Sequence, residues 1–499
     1  MKKGHTKLLF SIALICLFLT VFFAYDTNVD LTFTNYLIEN PVKLLQILLL
    51  LILFTSFIIA IMIALFQRNN KNKLISDLNI DKLTGLSTQY HFEVELKRYL
   101  TENPLCNYTI FSFDLDNFKY VNEIYGHATG SKLLQEIGEY LKKSMPDALL
   151  IARQTADQFL IFLETEHIFT DILISEKPEL IANFLNSEHC LGSDYNFSFS
   201  IGFHHIIDKS QDVNYLVNCA RLARDLGKNI NGYTINEFTP EMALKRAKNN
   251  EIVAKMKTSI KNKDFIMYYQ PKVDLKTEKI VGAEALVRWI HEGKMIPPND
   301  FIPVFEKNGF IVTLDYYVLD EVCNFLSKYS DKKLPVISVN LSAVTIMKDD
   351  LLDKISSSIS NSKVPPKMLD FEITESAIVD NFDSAIKKIH ILKDLGFTIA
   401  IDDFGVGISS LSRLKSIPID TLKIDRLFVI DAIENQKDSM IVTAIINLAK
   451  SLKMKTVVEG IENIEQKEFF EKLDCDIAQG YYYSRPLTET DFLQYLEQN

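Results

Sequence analysis

Two adjacent carboxylates, Asp402 and Asp403, end the apolar run Thr398 to Ile401 and precede a turn with Gly405 and Gly407. Neighbouring residues of a strand point to opposite faces. Where the chain bends into a loop, however, both can reach one ion or two neighbouring ions. Two carboxylates side by side repel, and a cation is one way to stabilise them. Alone, the stretch also reads as a solvated turn, since Asp and Gly are common turn residues. The rest of the C-terminal half favours chemistry. Apolar runs recur there and end in polar groups: Glu284, Asn340, Glu372, Asp402 with Asp403, Lys423, Glu459 and Gln479. Oxygen donors of this kind suit Mg2+ or Mn2+. The set contains no histidine, which argues against zinc.

The runs that carry these groups read as strands: FIMYYQPKVD, IVGAEALVRW, VISVNLS, LDFEITES, TIAIDDFG, TLKIDRLF, KTVVEGIE and IAQGYYY. Helical stretches lie between them, for example Tyr316 to Lys328, Asp383 to Leu395 and Ser439 to Leu452. Residues 245–499 thus have the alternation of an α/β (β/α)8 TIM-like barrel, and at roughly 250 residues its usual size. In such a barrel the C-terminal strand ends meet on one face, so residues about 200 apart in sequence would line one pocket.

These residues resemble the EAL family of cyclic-di-GMP phosphodiesterases over the whole segment. The matches are YYQP at Tyr268 to Pro271, EALVRW at Glu284 to Trp289, NLS at Asn340 to Ser342 and EITES at Glu372 to Ser376. DDFGVG at Asp402 to Gly407, LKID at Leu422 to Asp425, VVEGIE at Val457 to Glu462 and QGYYYSRP at Gln479 to Pro486 complete them. The resemblance implies that Glu284, Asn340, Glu372, Asp402 and Glu459 ligate metal, and that Asp403 ligates the second of two ions. It implies that Lys423 and Gln479 hold or polarise the attacking water, and that Glu375 braces the loop after Asp403. Gln270, Leu286 and Arg288 would contact the dinucleotide, Arg288 at a phosphate. The implied reaction is hydrolysis of cyclic-di-GMP to linear pGpG with two Mg2+ or Mn2+ ions. A non-catalytic receptor for the same dinucleotide is the rival reading.

Residues 81–238 alternate differently. DKLTGL opens an amphipathic helix through Leu100, Thr109 to Phe118 reads as a strand ending in Asp114 and Asp116, and Leu149 to Leu163 reads as a hairpin. Helices interleaved with antiparallel pairs indicate an α+β palm-like module. DKLTGL, DLDNFK, the Asn122, Gly126, His127, Gly130 pattern and ARDLGKN at Ala223 to Asn229 resemble the GGDEF (diguanylate cyclase) domain. The signature hairpin is degenerate: Arg153, Gln154, Thr155, Ala156, Asp157, Gln158, Phe159. Side chains at Thr155 and Ala156 obstruct an approach that glycine permits, and Gln158 lacks the charge of the expected glutamate. Asp114, Asp157 and Asn122 remain, a partial nucleotide site for which GTP is the candidate ligand. The expectation is an inactive cyclase with a regulatory or dimerising role, in a homodimer.

A net charge of −11 argues against a nucleic-acid polymer as partner. Six cysteines without CxxC spacing exclude a zinc ribbon or disulfide framework. Residues 8–24 and 44–66 are uncharged runs of 17 and 23 residues. They read as two N-terminal transmembrane helices flanking a short extracytoplasmic loop, 25–43. Lysines in residues 1–7 and basic residues after 66 place both termini and both modules on the cytoplasmic side of the inner membrane. Residues 67–80 would continue the second helix as a connector.

Overall fold

The computed structural model describes residues 41–165, 177–187, 197–228, 232–379, 382–404 and 417–499. Its first helix, Pro41–Asn79, runs for 39 residues and contains the second expected span. Among the described residues, however, no helix is long and apolar enough to cross a membrane. This overturns the second expected span and, with it, the two-span inner-membrane location. The expectation rested on the length of the two uncharged runs alone. Residues 44–66 include Gln46, Thr55 and Ser56, and the helix runs on through a polar, basic segment. The other expected span, 8–24, lies outside the described residues, as do residues 25–40 of the loop.

The described chain divides into two compact units between Ala243 and Leu244. The first holds a six-stranded sheet. Its strands are β1 (Ser87–Thr88), β2 (Tyr108–Leu115), β3 (Ala148–Arg153), β4 (Gln158–Glu164), β5 (Phe199–Ile206) and β6 (Tyr233–Glu237), in the order β1-β3-β4-β2-β5-β6. β2 lies between antiparallel β4 and β5 and is buried along its whole length. Its alternation feeds two cores. Tyr108 and Ile110 pack with helices Gln89–Glu102 and Val213–Asp225, whereas Phe111, Phe113 and Leu115 pack with helix His127–Ser144.

Helix Pro240–Asn262 runs across the boundary between the two units, and in the second unit it leads into β7 (Phe265–Asp274), β8 (Ile280–His291) and a short outer strand β9 (Lys294–Ile296). β10 (Val336–Leu341), β11 (Leu369–Thr374), β12 (Thr398–Phe404), β13 (Thr421–Ile424), β14 (Lys455–Glu459) and β15 (Ile477–Gln479) follow in parallel. β10 also pairs with β8, so eight strands close a barrel around one continuous core. One strand departs from the expected pattern: β7 runs antiparallel to both β8 and β15. Only seven strands therefore point their C-terminal ends at the same mouth. Several also stop earlier than their apolar runs suggested. β11 ends at Thr374, with Glu375 heading a helix, and β13 ends at Ile424, with a helix starting at Arg426.

Candidate active site

Strand register brings the polar ends together. Glu284 on β8 lies opposite Gln270 on β7 and Ser338 on β10. Asn340 pairs with Glu372, and Glu459 with Gln479. Residues two apart share the inward face, so β7, β10 and β11 present one polar group at the mouth and another one layer deeper: Gln270 and Lys272, Asn340 and Ser338, Glu372 and Asp370.

Lys423 stands at the centre. Its Nζ lies 2.5 Å from Glu372 Oε2, 2.6 Å from Glu459 Oε1, 3.1 Å from Asp402 Oδ1 and 3.6 Å from Glu284 Oε2. Amides complete the ring. Asn340 Nδ2 donates to Glu284 Oε1 at 2.8 Å, and Gln479 Nε2 donates to Glu284 Oε2 at 2.7 Å and to Gln270 Oε1 at 3.1 Å. Gln479 Oε1 is buried and accepts no hydrogen bond. Gly480 keeps this corner closed, because a Cβ there would come within 2.1 Å of Ile461 O.

Asp403 is reached by an irregularity. The β12–β13 register shifts between Ile401 and Phe404, and Asp403 has a φ of 53° in the left-handed region. Such a bulge turns a side chain that a regular strand would send to the other face. Asp403 N donates to Asp402 Oδ1 at 2.9 Å. Gly405 and Gly407 of the same motif lie outside the described residues.

The electrostatics follow from burial and crowding. Burial, then Glu372, pushes Glu284 up. Burial also works against Glu372, but Lys272 and Lys423 outweigh it and hold that carboxyl at about 2. Glu459 is pushed up to about 8 by burial, with Asp402 and Glu284 adding to it against Lys423. Asp403 is pushed up to about 6 by burial, Asp402 and Asp425. Five carboxyl groups thus crowd around Lys423, and the raised values of Glu284, Asp403 and Glu459 show that the lysines do not offset their mutual repulsion and burial.

That crowding, the all-oxygen donor set and the unpartnered Gln479 Oε1 fit hard divalent cations. Among the described residues, no three such donors converge closely enough to coordinate an ion as they stand. Lys423 Nζ sits in their midst.

The remaining expected residues divide. Gln270 and Leu286 line a cavity of about 250 Å3 at this mouth, together with Glu284, Glu459 and Gln479. Arg288 is not on its wall. Its guanidinium lies 5.6 Å from the centre of the Tyr268 ring and donates to Val287 O at 3.0 Å. Glu375 is buried at the head of helix Glu375–Val379, and most of the loop it was expected to brace, 405–416, lies outside the described residues. Sequence reasoning missed Lys272, Asp425, Tyr481 and Arg426. Lys272 was detectable as a charge two residues after Gln270 in an otherwise apolar strand, on the same face.

In the first unit, Asp114 on β2 is buried and pairs with Lys228 Nζ, with Arg224 Nε at 3.8 Å. Asp157 sits in the β3–β4 turn and is pushed up to about 7 by burial and by Asp114. Ala156 has a φ of 48°, so the turn keeps the left-handed residue that glycine adopts at least cost. Thr155 Oγ1 meets Gln158 Oε1 at 3.4 Å, and Arg153 Nε donates to Ala156 O at 2.8 Å. Asn122 lies on helix Phe118–Tyr125, away from these groups in sequence, with its Oδ1 against Gly130.

Comparison with known proteins agrees with this division. Residues 78–230 match the family described as diguanylate cyclase, GGDEF domain, and residues 253–486 match the EAL domain family. The chain is 32% identical to signaling protein YkoW of Bacillus subtilis over 83% of its length. It is 32% identical over 77% of its length to the bifunctional diguanylate cyclase/cyclic di-GMP phosphodiesterase MucR of Pseudomonas aeruginosa. Cyclic di-GMP phosphodiesterase NbdA of the same organism is 29% identical over 82% of the chain. The matches cover 52%, 56% and 52% of these relatives, so the chain spans about half the length of the curated relatives it matches. The first unit carries a GGDEF domain and the second an EAL domain, and the chain belongs to the proteins that join the two in tandem.

Proposed function

We propose that the EAL domain hydrolyses cyclic-di-GMP to linear pGpG in a metal-dependent reaction, and that the GGDEF domain makes none. The observation that carries this reading is the buried ring of carboxylates around Lys423, whose mutual repulsion the lysines do not offset. Glu284, Asn340, Glu372, Asp402, Asp403 and Glu459 would hold two Mg2+ or Mn2+ ions. Bound there, the ions would lower the pKa of a water and stabilise charge on the phosphoryl oxygens. The chain's own groups do the rest. Gln270 and Leu286 receive the dinucleotide on the cavity wall. Gln479 Nε2 anchors on Glu284 and Gln270, which leaves its buried Oε1 to accept a hydrogen bond from the attacking water. Lys423 helps to keep Glu372 ionised and offers positive charge to the phosphate. Arg288 reaches phosphate by leaving its place over Tyr268.

In the GGDEF domain, Lys228 already answers the charge of Asp114, and Gln158 brings none. We read that domain as a regulatory or dimerising module, with GTP as its ligand to test. The experiment is turnover by the full chain with Mg2+ or Mn2+, followed by mass spectrometry. Cyclic-di-GMP should gain one water, and GTP should yield no cyclic product when Glu284→Ala disables the barrel. Binding of the dinucleotide without turnover would favour the receptor reading instead. Regulation is tested by adding GTP across protein concentration, where unchanged specific activity would reduce the first domain to a spacer.

A further inference from the structure

We propose that Lys272 is a positioning residue for the barrel site: it engages one oxygen of Glu372 from beneath, so that only the other faces the mouth. This rests on the hydrolase reading above.

Lys272 follows Gln270 by two residues on β7 and points inward one layer deeper, at 5% exposure. Its Nζ pairs with Glu372 Oε1 and donates to Ser338 Oγ at 2.6 Å. Ser338 Oγ in turn donates to Asp370 Oδ2 at 2.8 Å. Glu372 Oε2 points the other way, to Lys423 Nζ at 2.5 Å. The two oxygens of one buried carboxylate are therefore divided between two lysines, one on each side. A carboxylate otherwise rotates about its last bond with little preference and can bind a cation through one oxygen or two. Lys272 removes both freedoms. The charged groups that face it are Glu372, Lys423, Asp370 and Glu284, from β11, β13 and β8.

A second feature separates positioning from mere filling of the barrel. Lys272, Ser338 and Asp370 also line a cavity of about 360 Å3 among the strand starts, at the opposite end from the carboxylate ring. Thr398, beside Asp370 on this cavity's wall, brings a further hydroxyl, which donates to Leu369 O at 3.3 Å. Space for water beside the lysine means that volume alone does not require a long cationic side chain at this place. The ammonium is aimed at Glu372.

The test compares the full-length wild type with Lys272→Met, and with Asp370→Asn as a variant that leaves the lysine–glutamate contact intact. Mn2+ affinity is read from the electron paramagnetic resonance of free Mn2+, kcat and KM from cyclic-di-GMP turnover, and folding from circular dichroism melts. Lys272→Met should weaken Mn2+ binding about ten- to a hundredfold, as loss of a group that orients a metal ligand does. It should lower kcat with KM little changed, while Asp370→Asn binds Mn2+ as the wild type does. If Lys272→Met fails to fold, the double variant Lys272→Met, Asp370→Asn removes the cation together with an acid it answers, and the same shift in Mn2+ affinity is expected. A lower melting temperature with wild-type Mn2+ affinity and kcat would overturn the proposal. Should the wild type bind Mn2+ but not hydrolyse cyclic-di-GMP, the hydrolase reading fails, and the Mn2+ titrations alone decide the role of Lys272.

Discussion

Both domains set a lysine against buried carboxylates, and they balance differently. In the GGDEF domain, Lys228 answers Asp114, and Asp157 sits close enough to neutrality to hold a proton. In the EAL domain, Lys423 contacts four carboxylates and still does not offset their mutual repulsion and burial. A site neutralised by its own side chains has little to gain from a divalent cation, because two charges taken from water must be repaid by new ones. A site with unmatched carboxylates has much to gain. On the proposed reading, that difference in balance decides which of the two sites takes a metal.

The sharpest way to break this comparison is Glu284→Ala. It removes a carboxylate that both Asn340 and Gln479 grip. Hydrolysis should fall by about three orders of magnitude or more, if the proposed ions carry the chemistry. Asp114→Ala in the other domain should leave the hydrolysis rate within about twofold, because Asp114 has no part in the carboxylate ring. Parallel rate measurements on the two variants check this, and equal losses would end the comparison.

Next in size is Gly480→Ala. The added Cβ meets the backbone of Ile461, which cannot move aside as a flexible side chain would. Gln479 must shift, and a displacement of about 1 Å costs roughly a hundredfold in rate. The expected signature is a lower kcat with Mn2+ binding retained.

Lys228→Ala sharpens the comparison from the other side. With the barrel disabled by Glu284→Ala, the GGDEF domain should show no specific Mn2+ uptake. Removing Lys228 uncovers Asp114 beside Asp157, and measurable Mn2+ binding should appear. Calorimetry on the two variants reads it directly.

How far the sequence carried the reading depended on periodicity. Alternation with a polar residue at the end of each strand placed Glu284, Asn340, Glu372, Asp402, Lys423, Glu459 and Gln479 at one mouth. The direction of β7 was not legible, because an antiparallel strand and a parallel one have the same period. Lys272 escaped because the search was for polar strand ends, and it lies in mid-strand. Asp403 was legible as a residue but not as a geometry: its left-handed backbone follows from the register shift in β12, which no local pattern announces. Residues 44–66 were read from the length of an uncharged run alone, and among the described residues no helix is long and apolar enough to cross a membrane.

The smallest effect concerns stability. Asp315 on helix Ile311–Lys328 accepts from Ser342 N at 3.0 Å and from Thr345 Oγ1 at 2.5 Å, just after Asn340. Burial pushes it up to about 6 against the ordinary 3.8. A carboxyl with a raised folded-state pKa costs the fold nothing below about pH 4 and progressively more as pH rises towards 6. Melts at pH 5 and 7 should therefore differ by a few degrees more in the wild type than in Asp315→Asn. An identical pH dependence in the two would remove Asp315 from the account.

The central claim is that crowded buried carboxylates make the EAL domain a metal-dependent hydrolase while the GGDEF domain is silent. It is tested most directly by incubating the purified full chain with cyclic-di-GMP and Mn2+, with excess chelator as control, and identifying the product by mass. The account predicts conversion to pGpG with Mn2+ and none with chelator. Equal turnover in chelator, or tight binding of cyclic-di-GMP with no product in Mn2+ or Mg2+, would contradict it.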